Sequence, residues 1–184
     1  MTAASPGWPR GRSVDGGVDE IPLSTVPGRL WMCGKHAIGP DPKRLLDAVQ
    51  ASFVVCLTER HELVDRYPAY VAWLDQHAPA QAAWFPVPDL CAPPLDRFAD
   101  IVGTVADRLT TGETVVVHCA AGIGRAGTVA AGVLMQIELP HDDALAHVAA
   151  HRPMAGPEAG AQQHLLRDWA DELTRLRTVG LGPA

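Results

Sequence analysis

The chain has 184 residues, of which 47% are hydrophobic and 20% charged, and its net charge is −6. This length suits one well-packed domain, and the apolar share excludes a chain that is disordered throughout. The negative charge and the lack of a dense Lys/Arg run argue against a nucleic-acid partner, since nucleic-acid-binding proteins need a basic face.

The N-terminal sequence and the cysteine pattern bear on the cellular location. Residues 1–20 contain no apolar stretch of the signal-peptide type, and the longest apolar run, residues 126–137, is too short to span a bilayer. The four cysteines show neither CxxC spacing nor the density of a disulfide scaffold. We therefore expect free thiols, a cytoplasmic location and no membrane partner.

Composition divides the chain into three predicted segments. Residues 1–20 are rich in Gly, Pro and Ser with little apolar periodicity, which favours a flexible N-terminal tail. One folded domain is expected over residues 21–178. A short C-terminal tail is expected at residues 179–184.

Apolar patterning predicts strands and helices in alternation along this domain. In the first half, Asp41 and Pro42 supply the capping residue and the first helical position of one helix. The predicted elements there are two short strands within residues 21–34, a helix at 41–50, a buried strand at 52–58, and a helix at 61–78 that Pro68 interrupts or restarts.

The second half of the domain continues the alternation. Its predicted elements are a strand from residue 82 that becomes a Pro-rich loop by Pro86, a helix at 94–112, a central strand at 113–119, an apolar helix at 124–138, and helices at 142–152 and 158–177. Such alternation predicts an α/β fold in which helices cover a sheet.

The junction between the central strand and the apolar helix, VVVHCAAGIGRAGT at residues 115–128, carries the most chemistry. Gly122 and Gly124 permit a backbone that points successive N–H groups inward, and the helix directs its N-terminal dipole to the same spot. Both effects favour a bound phosphate and the thiolate form of Cys119. Arg125 adds a guanidinium group that can bind two phosphate oxygens.

These residues predict in-line attack of Cys119 on phosphorus, which gives a cysteinyl-phosphate intermediate. The displacement needs a proton donor for the leaving oxygen and later a base that activates water. Asp89 fits this role because it lies in a Pro-rich loop after a predicted strand. Asp96 and Asp100 fit less well, because they fall at the start of a predicted helix or inside it.

Three segments in this order resemble the cysteine-dependent protein tyrosine and dual-specificity phosphatases. Residues 118–125 match their HCxxGxxR signature, residues 85–89 resemble their general-acid loop, and residues 152–166 resemble the segment whose glutamine positions the hydrolytic water. The resemblance implies a compact domain of the dual-specificity type, with a central mixed sheet of about five strands flanked by helices. It implies no metal and no organic cofactor.

The resemblance also implies a role for each matching residue. Cys119 is the expected nucleophile, Asp89 the acid and then the base, and His118 a residue that orients the loop and tunes the thiol. Gln162 is the expected water-positioning residue, with Gln163 as the alternative. Phosphate binding is expected from the loop residues Ala120, Ala121, Gly122, Ile123, Gly124 and Arg125.

Ala126 departs from the family pattern, in which a Ser or Thr hydroxyl follows the signature arginine and stabilises the leaving thiolate. We expect the first chemical step to survive and the second to slow by about 10–100-fold, if the loss equals one charge-assisted hydrogen bond of about 1.5–3 kcal/mol. A phosphoprotein-binding module with little turnover is therefore the alternative to an active enzyme. The upstream acid and the Cys-to-Arg spacing disfavour sulfur transfer and arsenate reduction.

Neutral side chains in the loop bear on the substrate. Inositol-lipid phosphatases of this superfamily tend to carry lysines where Ala120 and Ile123 stand here. Their absence favours a phosphorylated protein substrate, phosphotyrosine above all. Two pairs of residues are open to two interpretations. Lys35 with His36, and Arg60 with His61, either line the rim of the pocket or are ordinary surface charges.

Two further groups of residues are each open to a functional and a structural interpretation. Cys56 either forms a reversible disulfide with Cys119, as a cysteine on a similar strand does in several members of the family, or is a small core residue. His147, His151 and Asp143 have the spacing of a metal site, but a solvated helix face explains them more simply.

Overall fold

The structure, a computed structural model, describes residues 17–137 and 139–180, which contain five strands and seven α-helices. Their bounds are β1 Val18–Ile21, β2 Arg29–Gly34, α1 Lys35–Ile38, α2 Pro42–Val49, β3 Phe53–Cys56, α3 Pro68–His77, β4 Ala82–Trp84, α4 Leu95–Thr110, β5 Thr114–Cys119, α5 Gly124–Ile137, α6 His141–His151 and α7 Gly160–Thr178. A single 3₁₀ turn, Arg60–Glu62, follows β3.

The five strands form one sheet in the order β1-β2-β5-β3-β4. β1 runs antiparallel to β2, whereas the pairs β2–β5, β5–β3 and β3–β4 are parallel. The sheet is therefore mixed and has helices on both faces. This architecture confirms the α/β fold and the mixed central sheet that the sequence predicts.

β5 is the middle strand of the sheet, and its side chains divide the core into two parts. Val115, Val117 and Cys119 pack with α4, α5, α6 and α7 on one face, whereas Val116 packs with α1, α2 and α3 on the other. All three valines are fully buried, as expected of a parallel strand covered on both faces. The two predicted site residues at the end of β5, His118 and Cys119, therefore point to opposite faces.

The starts of two helices, α2 and α3, follow local signals in the sequence. Asp41 caps α2 by accepting a hydrogen bond from the N–H of Arg44 at 2.9 Å, as predicted. Pro68 restarts the chain as a helix, since α3 begins at this residue and only the 3₁₀ turn precedes it. The four-residue helix α1 was not predicted, because it follows β2 directly without a capping side chain.

The N-terminal boundary of the folded domain differs from the prediction. β1 begins at Val18, inside the predicted tail of residues 1–20, and pairs with β2 from Val18 opposite Cys33 to Ile21 opposite Leu30. Four residues are too few to show the alternating apolar pattern that indicates a strand. Pairing with β2 is what stabilises this segment as a strand. Residues 1–16 and 181–184 of the predicted tails, and residue 138 of the predicted apolar helix, lie outside the described residues.

A helix that spans a bilayer needs about 20 consecutive and mostly apolar residues. Within residues 17–137 and 139–180, no helix is both long enough and apolar enough to span a membrane.

Candidate active site

The predicted phosphate loop, residues 120–125, connects the end of β5 to the start of α5. Cys119 is the last residue of β5 and is only 2% exposed, and Arg125 lies in the first turn of α5 and is 4% exposed. The loop therefore lies at the carboxyl end of the middle strand of the sheet. In open α/β sheets this edge is where ligands bind.

Carbonyl groups of the phosphate loop point away from its centre because other parts of the chain bind them. The N–H of Lys35 donates to Ala120 O at 3.0 Å, and the guanidinium group of Arg152 donates to Ala121 O at 2.9 Å and to Gly122 O. The C=O and N–H of one peptide point in opposite directions. The N–H groups of residues 121–123 consequently point towards the centre of the loop, as an anion-binding nest requires.

Of the two predicted loop glycines, Gly122 is the one that this geometry requires. It has a φ of +70°, and a Cβ there would overlap the main chain of Cys33. A Cβ at Gly124 would meet only the carboxylate of Glu158, an exposed side chain that can move aside. A larger residue at position 122 would therefore distort the phosphate loop.

The Arg125 guanidinium group is held by four contacts. Nη1 donates to Glu62 Oε1 at 2.7 Å and to Val87 O at 2.8 Å, while Nη2 contacts Glu62 Oε2 at 2.9 Å and Asp89 Oδ1 at 3.1 Å. The fifth donor, Nε–H, takes no part in these contacts. The side chain is therefore fixed in orientation before any phosphate arrives.

The ion pair between Glu62 and Arg125 keeps both groups charged although it is buried. Burial opposes the charged form of Glu62, but the hydrogen bonds from Arg125 and from the Glu59 N–H outweigh it, so the pKa of Glu62 lies below its usual value. Burial likewise opposes the charge of Arg125, but the hydrogen bond to Glu62 and the nearby negative groups outweigh it, so the pKa of Arg125 lies above its usual value. Glu62 was not predicted as a site residue, because its role depends on a partner 63 positions away.

Asp89 lies in a tight turn of the acid loop, defined here as residues 85–91. The Cys91 N–H donates to Pro88 O at 3.1 Å and closes the turn, in which Leu90 has the unusual φ of +59°. The Asp89 side chain is 67% exposed, and one carboxylate oxygen contacts Arg125. The structure thus brings the predicted acid and the predicted phosphate clamp together.

His118 is fully buried, and its ring contacts two groups. Tyr70 Oη lies 2.7 Å from Nε2, and Cys119 O lies 3.4 Å from Nδ1. Burial lowers the pKa of His118 to about 4, so the ring is neutral near pH 7. A carbonyl only accepts, so the proton belongs on Nδ1 and the Tyr70 hydroxyl donates to Nε2. His118 therefore lies beside Cys119 in a fixed orientation without adding a positive charge.

Cys56 lies on the face of the sheet opposite to Cys119. Its partner in the strand register is His118, and side chains alternate along a strand, so Cys56 packs with the α3 side of the core. Its thiol contacts Thr58, and burial raises its pKa to about 12. A disulfide needs both Cβ atoms close together on one side, so a link between Cys56 and Cys119 requires part of β3 or β5 to move.

Gln162 is buried, and its side-chain amide is engaged with protein groups. Nε2 donates to Cys91 O at 3.1 Å, and Oε1 accepts from the Glu158 N–H at 2.9 Å. The Thr128 hydroxyl lies 3.4 Å from the same oxygen and donates more closely to Gly124 O, at 2.8 Å. The structure therefore ties Gln162 to the acid loop, whereas Gln163 is exposed.

The other sequence candidates are placed as follows. Lys35 Nζ donates to Glu62 O at 2.9 Å, next to the Arg125 pair, while Arg60 pairs with the exposed Asp75. His147 Nε2 donates to Pro22 O at 2.8 Å. Among the described residues no group of three His, Cys, Asp or Glu side chains is arranged to hold a metal ion.

The sequence alone does not indicate that Arg152 and its partner Asp19 lie beside the phosphate loop. The guanidinium group is fully buried, binds two carbonyls of the phosphate loop and pairs with Asp19 of β1 at 2.7 Å. Arg152 follows α6 and Asp19 lies near the N-terminus, so only the pairing of β1 with the sheet brings them together. Tyr70 was also missed, because its partner His118 lies 48 positions away in the chain.

The fold and the arrangement of this loop define the class of the protein as a phosphatase domain of the dual-specificity type. Residues 23–175 match the family model described as the DSP-PTPase phosphatase domain of Swiss Army Knife proteins, PTP-SAK. The match covers most of the chain, which therefore belongs to this family. The resemblance inferred from the three sequence segments is confirmed.

Solved structures of phosphatases share the fold. Tk-PTP in its active form is 25% identical over 82% of this chain and 99% of its own, with a TM-score of 0.61. Human DUSP28 is 19% identical over 93% and 99%, with a TM-score of 0.66. The kinase-associated phosphatase, with its catalytic cysteine replaced by serine, is 19% identical over 85% and 95%, with a TM-score of 0.70.

Proposed function

We propose that this protein is a cysteine-dependent phosphatase that hydrolyses phosphomonoesters on proteins, phosphotyrosine above all. The observation that carries the proposal is the convergence of Cys119, the inward N–H groups of the phosphate loop, Arg125 and Asp89 at one edge of the sheet. Membership of a phosphatase family implies phosphorylated substrates. The four unpaired cysteines suit the cytoplasmic location expected from the sequence.

In the first chemical step, the phosphate of the substrate binds to the loop N–H groups and to Arg125. Nη1 stays bound to Glu62 and Val87 O, so phosphate oxygens take Nε–H and the Nη2 donor that contacts Asp89. The Cys119 thiolate attacks phosphorus as the bond to the leaving oxygen breaks, and protonated Asp89 gives its proton to that oxygen. The products are the free alcohol or phenol and a cysteinyl phosphate.

In the second step, water replaces the thiolate. The Asp89 carboxylate accepts a proton from the attacking water, a P–O bond forms, and the S–P bond breaks to regenerate the Cys119 thiolate. Inorganic phosphate then leaves, and Asp89 is protonated for the next cycle. The proton that Asp89 donates in the first step is thus regained in the second step.

Two features of the site favour a phosphotyrosyl protein over an inositol lipid. The loop side chains at Ala120 and Ile123 are neutral, so a second phosphate finds no added cation there. The Lys35 ammonium group is already bound to Glu62 O. Because Cys119 is almost fully buried, the longer reach of a phenyl phosphate suits the site better than that of phosphoserine.

The test is hydrolysis of p-nitrophenyl phosphate, followed by a panel of phosphotyrosyl, phosphoseryl and phosphoinositide substrates. We expect Cys119→Ser to abolish turnover, and we expect chelators to leave it unchanged. Activity that survives Cys119→Ser, or that depends on an added metal ion, would refute the cysteine mechanism. Faster turnover of phosphoinositides than of phosphotyrosyl peptides would refute the substrate assignment.

The second candidate is a phosphoprotein-binding module with little turnover, and Ala126 is the observation that favours it. The nearby Thr128 hydroxyl on α5 donates to Gly124 O, so it does not replace the hydroxyl that the family carries at position 126. For the active enzyme, rapid mixing with an aryl phosphate gives a burst of phenol, and Ala126→Ser speeds the steady state by about 10–100-fold. A burst without any steady-state turnover identifies the binding module instead.

A further inference from the structure

The acid loop is fixed on both sides of Asp89 by groups from different parts of the chain. Upstream, Val87 donates to Leu57 O at 3.1 Å and its own carbonyl accepts from Arg125 at 2.8 Å. Downstream, the carbonyl of Cys91 accepts from Gln162 Nε2 at 3.1 Å. Asp89 lies midway between these two anchored residues.

The downstream anchor is the one that the turn depends on. Leu90 adopts a left-handed conformation that a leucine disfavours, with φ at +59°, so the turn of residues 88–91 relies on contacts outside itself. The Leu90 side chain is 56% exposed and gives little packing in return. The bond from Gln162 to Cys91 O is therefore a main restraint on where Asp89 lies.

Gln162 is itself held rigidly enough to act as an anchor. It is 1% exposed, and its other amide atom accepts from the Glu158 N–H in the segment before α7. Nε2 and Oε1 each have a protein partner, so turning the amide group towards a water molecule would break both bonds, and only the second N–H of Nε2 takes no part in these contacts. The resemblance to the family implies a water-positioning role, which this arrangement does not favour.

We propose that Gln162 is a positioning residue for the general acid: it holds Cys91 O and thereby places Asp89 for proton transfer to the leaving group. This inference rests on the proposed phosphatase function. It assigns Gln162 to the first chemical step rather than to hydrolysis of the cysteinyl phosphate. The second step then relies on Asp89 alone, in a chain that already lacks the hydroxyl at Ala126.

The test compares two substrates that differ in their need for an acid. Phenyl phosphate has a poor leaving group and needs Asp89, whereas p-nitrophenyl phosphate has a good one and needs it little. In Gln162→Met we expect kcat/KM to fall about 10–50-fold for phenyl phosphate and less than about 3-fold for p-nitrophenyl phosphate. The basic limb of the pH profile of kcat/KM should flatten with phenyl phosphate.

Two further variants make the comparison specific. Gln162→Glu keeps the size of the side chain and the acceptor for Glu158, but its carboxylate cannot donate to Cys91 O, so it should show the same split between substrates. Gln76→Met is the matched control, because Gln76 is exposed on α3 and away from the loop. We expect wild-type kinetics for this control with both substrates.

Two kinetic outcomes would overturn the proposal. If Gln162 positions water, kcat/KM stays unchanged for both substrates while kcat falls and the phenol burst grows. If the residue only stabilises the fold, both substrates lose activity equally and the melting temperature falls in parallel.

Hydrogen exchange tests the anchor without any activity. Exchange at the amides of residues 87–91 should rise in Gln162→Met and not in Gln76→Met, and unchanged exchange would overturn the inference. An inactive wild-type protein would overturn the proposed function, while this measurement would still report on the anchor.

Discussion

His118 shows how a single buried residue in the site is held in one charge state. Its ring is fully buried beside the phosphate loop, and the Tyr70 hydroxyl occupies Nε2. Burial lowers the pKa of His118 from 6.5 to about 4, and the contact with Cys119 O offsets this only in part. The positive charge next to Cys119 thus comes from Arg125 and not from the histidine.

The lowered pKa of His118 predicts a loss of stability in acid. The unfolded chain binds the proton more readily than the folded one, so the contribution of His118 is complete above about pH 6.5 and is lost as the pH falls towards 4. The full loss is about 3 kcal/mol. Thermal melts of wild type from pH 7 to pH 4 should show this decline.

Two histidine variants separate this effect from general acid denaturation. His118→Gln should remove most of the decline between pH 6.5 and 4, whereas His164→Gln should keep it, because His164 is exposed on α7. Equal pH dependence in wild type and His118→Gln would show that another group titrates.

At the scale of secondary structure elements, α5 is the helix that most constrains its neighbours. Its residues are buried from Gly124 to Met135, and α4 and α7 both pack against it. Gly132 makes this packing possible, since a Cβ there would lie 2.5 Å from Phe98 Cζ of α4. The Phe98 ring cannot easily withdraw, because it packs edge-on against Trp169 of α7.

Two glycine-to-alanine changes should therefore have opposite effects on stability. Gly132→Ala forces Phe98 out of its packed position and should lower the free energy of unfolding by about 1–3 kcal/mol. Gly103→Ala, on α4 with no atom within 4 Å of the added Cβ, should raise it by about 0.5–1 kcal/mol. Urea denaturation measures both, and a change of the same sign in the two variants would contradict this account of the packing.

At the scale of the whole molecule, a buried ion pair connects the first strand to the phosphate loop. Asp19 of β1 pairs with Arg152, whose other N–H groups bind the carbonyls of Ala121 and Gly122. The two paired residues are 133 positions apart. The shape of the phosphate loop therefore depends on closure of the sheet by its N-terminal strand.

Breaking this pair should affect both stability and the site. Asp19→Ala removes the Asp19 carboxylate from the buried Arg152 guanidinium group and should lower the free energy of unfolding by about 3–5 kcal/mol, with weaker binding of phosphate or vanadate as the loop loosens. Glu20→Ala is the matched control on the same strand, because its pair with Arg29 is partly exposed and should contribute about 1 kcal/mol or less. Similar losses in unfolding and anion-binding measurements for both variants would refute the special role of Asp19.

Predictions from the sequence are accurate where they depend on residues that are close together in the chain, and less accurate where they depend on distant residues. The cap at Asp41, the helix start at Pro68 and the α/β alternation depend on neighbours in the chain, and the structure confirms them. The sequence places the first strand too late, from Ile21 onward, because a strand of four residues is defined by its pairing with β2. Whether Cys56 can pair with Cys119 or only fills the core depends on which face of β3 it occupies, and one position along a strand reverses the face.

The sequence by itself determined the class of the protein and the composition of the phosphate loop, because the strand end, both glycines and Arg125 lie within one short segment whose chemistry is local. Only the tertiary structure decided what surrounds that loop. Glu62 on the Arg125 guanidinium, Arg152 on the loop carbonyls and Gln162 on the acid loop each act across gaps of 30 to 71 positions. Buried polar groups must find partners, and which partners are within reach is fixed by the packing of the sheet and helices rather than by adjacent residues.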